Sequence, residues 1–240
     1  MKQKRYSRHE MIPEIGTKGQ QKLTAASVSV VGAGGLGSPV LYYLASAGFG
    51  NIKIIDSDVV DISNLNRQFI HFESDIGKQK DHSAKRKLEQ YNSDISITTQ
   101  CVRLDFNNAS EFLKNSNIIV TCVDNTETRY IVNKFCVDNR IPYVDGGVTG
   151  FDGYVLTVLP GVCPCYQCIF PKKKKEGKNK SFGVLGASAG VIGSFIAMQT
   201  IKQITGICID TYFYYIDTKL MSISPIPIEK HPGCPVCAGM

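Results

Sequence analysis

The chain has 240 residues, 43% hydrophobic and 20% charged, which excludes a disordered chain and leaves room for one sizeable core. Its 27 Lys and Arg against 21 Asp and Glu give a net charge of +6, but ten of those basic side chains sit in residues 1–9 and 172–180. The remainder holds 17 basic and 20 acidic side chains, so no basic face spans the body, and a nucleic-acid-binding domain is excluded as the main reading.

Residues 1–24 read as a helical arm with no apolar signal segment, which argues for a cytoplasmic protein. Residues 27–32 (SVSVVG) read as a buried parallel strand, and 36–48 as a helix stopped by Gly48. Strands follow at 51–56, 95–101, 117–121 and 142–145, with helices at 78–91 and 126–139 between them. This alternation predicts a doubly wound, mostly parallel α/β sheet over 25–147. Strands at 154–159, 211–216 and 220–223, with a helix at 187–204, then extend the sheet through antiparallel pairing over 148–240. One domain accommodates all of this. The weakly polar run 183–201 contains Gly183, Gly186, Gly190, Gly193, Ser188, Ser194, Gln199 and Thr200, which favours a buried helix over a membrane span. Residues 172–180 (KKKKEGKNK) read as a surface loop.

Gly32-Ala-Gly34-Gly35-Leu-Gly37 leaves a strand and opens a helix, a frame that brings backbone N–H groups to a phosphate. Asp56 ends the next strand, 19 residues after Gly37, where a carboxylate can accept from ribose hydroxyls. This is a Rossmann-like site for an adenosine ligand, but the glycines alone do not separate NAD from ATP. The following segment, Ser63, Asn64, Leu65, Asn66, Arg67 and Gln68, and then Lys80, supplies cations suited to a triphosphate. Asp124 and Asn125 follow the fourth strand, where a carboxylate could hold Mg2+ against phosphates. The ordered set favours ATP.

Cys165-x-x-Cys168 and Cys234-x-x-Cys237 are separated by 65 residues. Two such pairs complete a tetrahedral site for structural Zn2+, with a redox pair or free thiols as the alternatives. Cys163 fits that geometry poorly, and Cys101, Cys122, Cys136 and Cys208 read as core packing.

Together RYSR, GAGGLGS, IIDSDVVDISNLNRQ, GKQK, CVDN, the two Cys pairs and GVLGASAGVIGS resemble the ThiF/MoeB/HesA group of ubiquitin-activating-enzyme-like proteins over nearly the whole chain. The resemblance implies ATP-dependent adenylation of the C-terminal Gly-Gly carboxylate of a small ubiquitin-like sulfur-carrier protein (ThiS- or MoaD-like), in thiamine or molybdopterin synthesis. It implies catalytic roles for Arg67, Lys80 and Asp124, and a homodimer in which Arg8 reaches the partner's site. The alternatives are an NAD(P)-dependent oxidoreductase and a related enzyme activating a non-protein carboxylate. One departure stands out: the position where several relatives carry a cysteine is Asn179, and no cysteine lies between residues 169 and 207. That points to adenylation only, with sulfur brought by a separate donor protein. The lysine run is expected to attract an acidic carrier surface.

Overall fold

The strand β1 (Ser27–Val31) lies inside the sheet because its side chains are wanted on both faces: Val28 and Val30 join one apolar layer and Val31 the other. A computed structural model describes residues 5–172, 182–208 and 210–239. Within them, parallel strands β2 (Asn51–Ile55), β3 (Ser96–Gln100), β4 (Ile118–Thr121) and β5 (Tyr143–Thr149) flank β1 in the order β3-β2-β1-β4-β5. Three antiparallel strands, β6 (Asp152–Val158), β7 (Phe213–Asp217) and β8 (Ser222–Ile226), continue the sheet from β5, as expected.

The short helix α1 (Ser7–Glu10) and then α2 (Gly16–Ala25) precede the sheet. One face is covered by α3 (Gly37–Ala47), α4 (Lys80–Tyr91) and later α8 (Gly186–Thr205). The other is covered by α5 (Ala109–Leu113), α6 (Thr126–Asn139) and the single turn α7 (Tyr166–Ile169). Gly48 ends α3 in the left-handed conformation, φ +81°, where a side chain would be strained. The run at 183–201 lies largely within α8, packed on α3. Among the described residues no helix is long and apolar enough to cross a membrane.

Three expectations need correction. The strand expected at 142–145 continues to Thr149, because Gly146 and Gly147 let Ile196 and Tyr154 pack onto the backbone while the ladder with β6 runs on. The last strand starts at Ser222 instead of 220: the Asp217 carboxylate accepts from the N–H groups of Lys219 and Leu220, each at 2.9 Å, and forms a turn there. Cys208 is exposed, whereas Cys122 and Cys136 are core residues and Cys101 is half-buried.

Candidate active site

Strand order reverses between β1 and β4, and a cleft of about 1370 Å³ opens at the carboxyl ends of these strands, where open α/β sheets bind ligands. Gly32, φ +99°, passes close to the Cys122 carbonyl, and Gly37 packs against the Gly32 carbonyl, so a Cβ at either would meet backbone. Gly32 and Gly37 therefore close the turn, while Gly34 and Gly35 line the cleft beside Gln68 and Arg67. Between them, Ala33 is fixed on both sides. Its N–H donates to Asp56 Oδ2 at 2.7 Å, and its carbonyl lies 2.9 Å from His71 Nε2. The other Asp56 oxygen accepts from the Asp58 N–H at 2.8 Å. Burial raises the Asp56 pKa despite these two hydrogen bonds.

Asp61 caps a one-turn 3-10 helix, Ile62–Asn64, with Asn64 closing the capping box. Ser63, Asn64 and Leu65 build this turn and do not line the cleft, whereas Asn66, Arg67 and Gln68 do. One Arg67 nitrogen donates to the Ser63 carbonyl and to Asn66 Oδ1, both at 2.9 Å, which aims the guanidinium. Lys80, the first residue of α4, pairs with Asp58 at 2.9 Å; the Lys80 side chain is only 8% exposed. Asp124 lines the cleft with no hydrogen bond or ion pair among the described residues, and Asn125 caps α6 by accepting from the Thr128 N–H at 2.9 Å. A carboxylate that lines the cleft with no partner among the described residues could hold a hard cation such as Mg2+.

Arg8 is exposed on α1 and does not line the cleft of its own chain. Tyr6 anchors this arm by packing on Gly48 and accepting from Asn92 Nδ2 at 2.9 Å, near the amino end of β2 and away from the cleft. Of the lysine run, Lys172 alone is described, with its Nζ over the Tyr130 ring at 5.6 Å; Asn179 and the other lysines lie outside the described residues.

Several cleft residues escaped the sequence reading. Arg129, on α6, donates from Nη1 to Asp145 Oδ2 at 2.5 Å and to Tyr154 Oη at 2.6 Å, and from Nη2 to the Val123 carbonyl at 2.5 Å. Tyr154 donates in turn to Asp145 at 2.7 Å. Burial acts to lower the Arg129 pKa, but the Asp145 charge outweighs it and holds the guanidinium well above its usual value. The far wall is aromatic: Phe170 lies 4.8 Å from Tyr166 and 5.2 Å from Tyr154, and Tyr154 stacks on Phe213 at 5.1 Å between ring centroids. Only Asp58 carried a sequence signal, as the second acid of the DSD run. The others meet through tertiary contacts.

The four cysteines come together as their spacing predicts. Sγ of Cys165 lies 3.9 Å from that of Cys168 and 3.6 Å from that of Cys234, and Cys168 lies 3.4 Å from Cys237. A tetrahedral Zn–thiolate site has S···S edges of about 3.8 Å, so this cluster could hold zinc. Burial raises the pKa of Cys165, and that of Cys237 to about 11, so metal must displace protons there. Cys163 stays outside the cluster, its sulfur 3.0 Å from the Leu159 N–H. Asn133 Nδ2 donates to Cys165 Sγ at 3.6 Å.

Known proteins give this geometry a context. The chain is 37% identical over 238 residues to the SAMP-activating enzyme E1 of Haloferax volcanii, covering 97% of this chain and 88% of that one. It is 37% identical over 243 residues to the sulfur carrier protein adenylyltransferase of Thermus thermophilus, covering 97% and 90%. A crystal structure of E. coli MccB with ATP superposes with a TM-score of 0.85 at 27% identity, covering 97% of this chain and 74% of MccB. Residues 6–236 match the ThiF family, and the chain belongs to it.

Proposed function

We propose that this protein activates the C-terminal glycine carboxylate of a small ubiquitin-like sulfur carrier by adenylation, for sulfur incorporation into thiamine or the molybdopterin cofactor. It is an adenylyltransferase, as its family and its relatives of that name show. The observation that carries the carrier reading is the placement of Asp124, without a partner among the described residues, with Arg67 and Lys80 around one cleft, which continues past Gly147 to an aromatic wall. The triphosphate would occupy the cationic end and the carrier tail the aromatic end.

In this reading a carboxylate oxygen of the carrier attacks the α-phosphorus, and the bond to the bridging oxygen of pyrophosphate breaks. No general base is needed, because the nucleophile is already ionised. The residues position the reactants and stabilise charge. Arg67 enters the site aimed by Ser63 and Asn66. Lys80 exchanges its Asp58 partner for phosphate oxygens, Asp56 accepts from the ribose, and Gly34 and Gly35 offer backbone N–H groups. Mg2+ held at Asp124 would neutralise phosphate charge. Zinc at Cys165, Cys168, Cys234 and Cys237 would tie the C-terminal segment to α7.

Arg8 supports a homodimer: it is exposed and remote from its own cleft, so a trans-acting role needs a second copy. A separate protein would supply sulfur to the acyl-adenylate, since no cysteine lies between residues 169 and 207. Nothing in a dinucleotide oxidoreductase would require Asp124, without a partner among the described residues, in the same cleft as Lys80. Isotope exchange between pyrophosphate and ATP, measured with each Gly-Gly carrier of the same cell, tests the proposal. Carrier-dependent exchange is expected; exchange with none of them would remove it.

A further inference from the structure

Asp124 sits between two anchors, and both belong to α6. On its carboxyl side, Asn125 caps the helix through the Thr128 N–H at 2.9 Å. On its amino side, the Val123 carbonyl accepts from Arg129 Nη2 at 2.5 Å. The guanidinium is itself fixed by Asp145, which is fully buried, and by Tyr154. Thr121, the last residue of β4, donates to the second Asp145 oxygen at 2.5 Å, so the carboxylate is held from both sides. Tyr154 closes a three-membered ring, accepting from Arg129 and donating to Asp145.

A buried ion pair is weak evidence for stability on its own, because desolvation offsets most of its attraction. What this pair does is place a planar fork with five donors under the 122–125 segment. The fork reaches three acceptors on three different elements: a carboxylate on β5, a phenol on β6 and a main-chain carbonyl after β4. A lysine ammonium could replace the Asp145 contact, but one point of charge cannot span all three.

We infer that Arg129 is a positioning residue for the adenylation site: through the Val123 carbonyl it fixes the peptide that presents Asp124 to the cleft. Arg129 itself need not touch the nucleotide. The inference rests on the adenylation reading of the cleft. Its consequence is that cation-assisted ATP binding depends on a residue that carries no negative charge and is not a ligand. Partners that orient a metal ligand change metal affinity or activity by about 10- to 100-fold when removed.

The test uses the full-length protein and titration calorimetry with ATP, once with excess Mg2+ and once with a chelator. In the unmodified protein Mg2+ should strengthen ATP binding, and Asp124→Ala should abolish that gain. Arg129→Lys keeps a cation beside Asp145 but loses the Val123 contact. It should reduce the Mg2+-dependent gain by at least about tenfold, with chelated-ATP affinity within about twofold of the unmodified protein. Arg129→Met combined with Asp145→Asn removes both charges together, so it avoids leaving a buried carboxylate unpaired, and should give the same loss. Amide exchange of residues 123–125 should accelerate in both variants while that of β1 and β4 is unchanged. A full Mg2+-dependent gain in both variants overturns the positioning role. Absence of ATP binding by the unmodified protein would instead remove the adenylation reading, and this inference with it.

Discussion

His71 Nε2 lies 2.9 Å from the Ala33 carbonyl oxygen, so a buried imidazole in the segment before α4 clamps the glycine-rich loop after β1. Its other nitrogen is 2.9 Å from Ser83 Oγ on α4, the helix that starts with Lys80. A carbonyl accepts only, so Nε2 carries the proton, and Nδ1 accepts from the Ser83 hydroxyl. The glycine-rich loop and α4, both of which contribute to the cleft, are thereby locked together through one neutral side chain.

This clamp has a pH signature. Burial, and to a lesser degree the charges of Lys87 and Lys80, lower the His71 pKa to about 4, against a hydrogen bond to Ala33 that opposes the shift. An unfolded chain takes up a proton at this histidine near pH 6.5; the folded chain resists until about pH 4. The His71 contribution is therefore complete above pH 6.5, shrinks as pH falls, and over this window amounts to on the order of 3 kcal/mol. Asp56, whose pKa is raised by burial, acts in the opposite direction at the acid end. Urea unfolding of the unmodified protein should show stability falling between about pH 6.5 and 4.5, and His71→Asn should flatten that slope. An identical slope in the variant would assign the acid sensitivity elsewhere.

Lys80→Ala and Asp124→Ala should each abolish pyrophosphate exchange while metal content at the four cysteines stays unchanged. Neither residue belongs to the four-cysteine cluster, which separates the two effects. Exchange at more than about one-hundredth of the normal rate in either variant would contradict the charge-stabilising role assigned to that residue.

Dimer complementation tests Arg8. Mixing Arg8→Ala subunits with Lys80→Ala subunits, each inactive alone, creates heterodimers in which one composite site has both residues. Random reassociation should restore about a quarter of normal exchange. No recovery, in a sample shown to have exchanged subunits, would place Arg8 outside the partner's site.

The cysteine cluster should hold one zinc per chain. Cys234→Ser should lose that metal and destabilise the protein by several kcal/mol, seen as a lower thermal midpoint. Because thiols must give up protons to bind, metal should leave progressively as the solution is acidified. Zinc retained in Cys234→Ser at unmodified affinity would argue against a four-thiolate site.

How far the sequence could be read depended on whether a feature is local. The strand and helix periods of 27–56 survived because each element buries its own apolar stripe, and the Cys-x-x-Cys spacing closes a site regardless of route. Gly146 and Gly147 lie past the expected strand end; in the fold they make room for Tyr154, across the hairpin, and for Ile196, on α8. Arg129, Asp145 and Tyr154 stand in no motif and meet only where β5 and β6 bring them together. Ser63 and Asn64 stand in a nucleotide-like motif, yet in this fold their side chains and carbonyls shape the turn behind Arg67.

The most direct measurement follows the label of ATP during a single incubation with Mg2+, this protein and a Gly-Gly carrier. Label at the α-phosphorus should move onto the carrier as an acid-stable, hydroxylamine-sensitive adenylate, and label at the γ-phosphorus should leave as pyrophosphate. Deleting the terminal glycine of the carrier should abolish the transfer. Transfer of γ-label to the carrier, or no α-label on any Gly-Gly carrier, would contradict adenylation of a carrier protein.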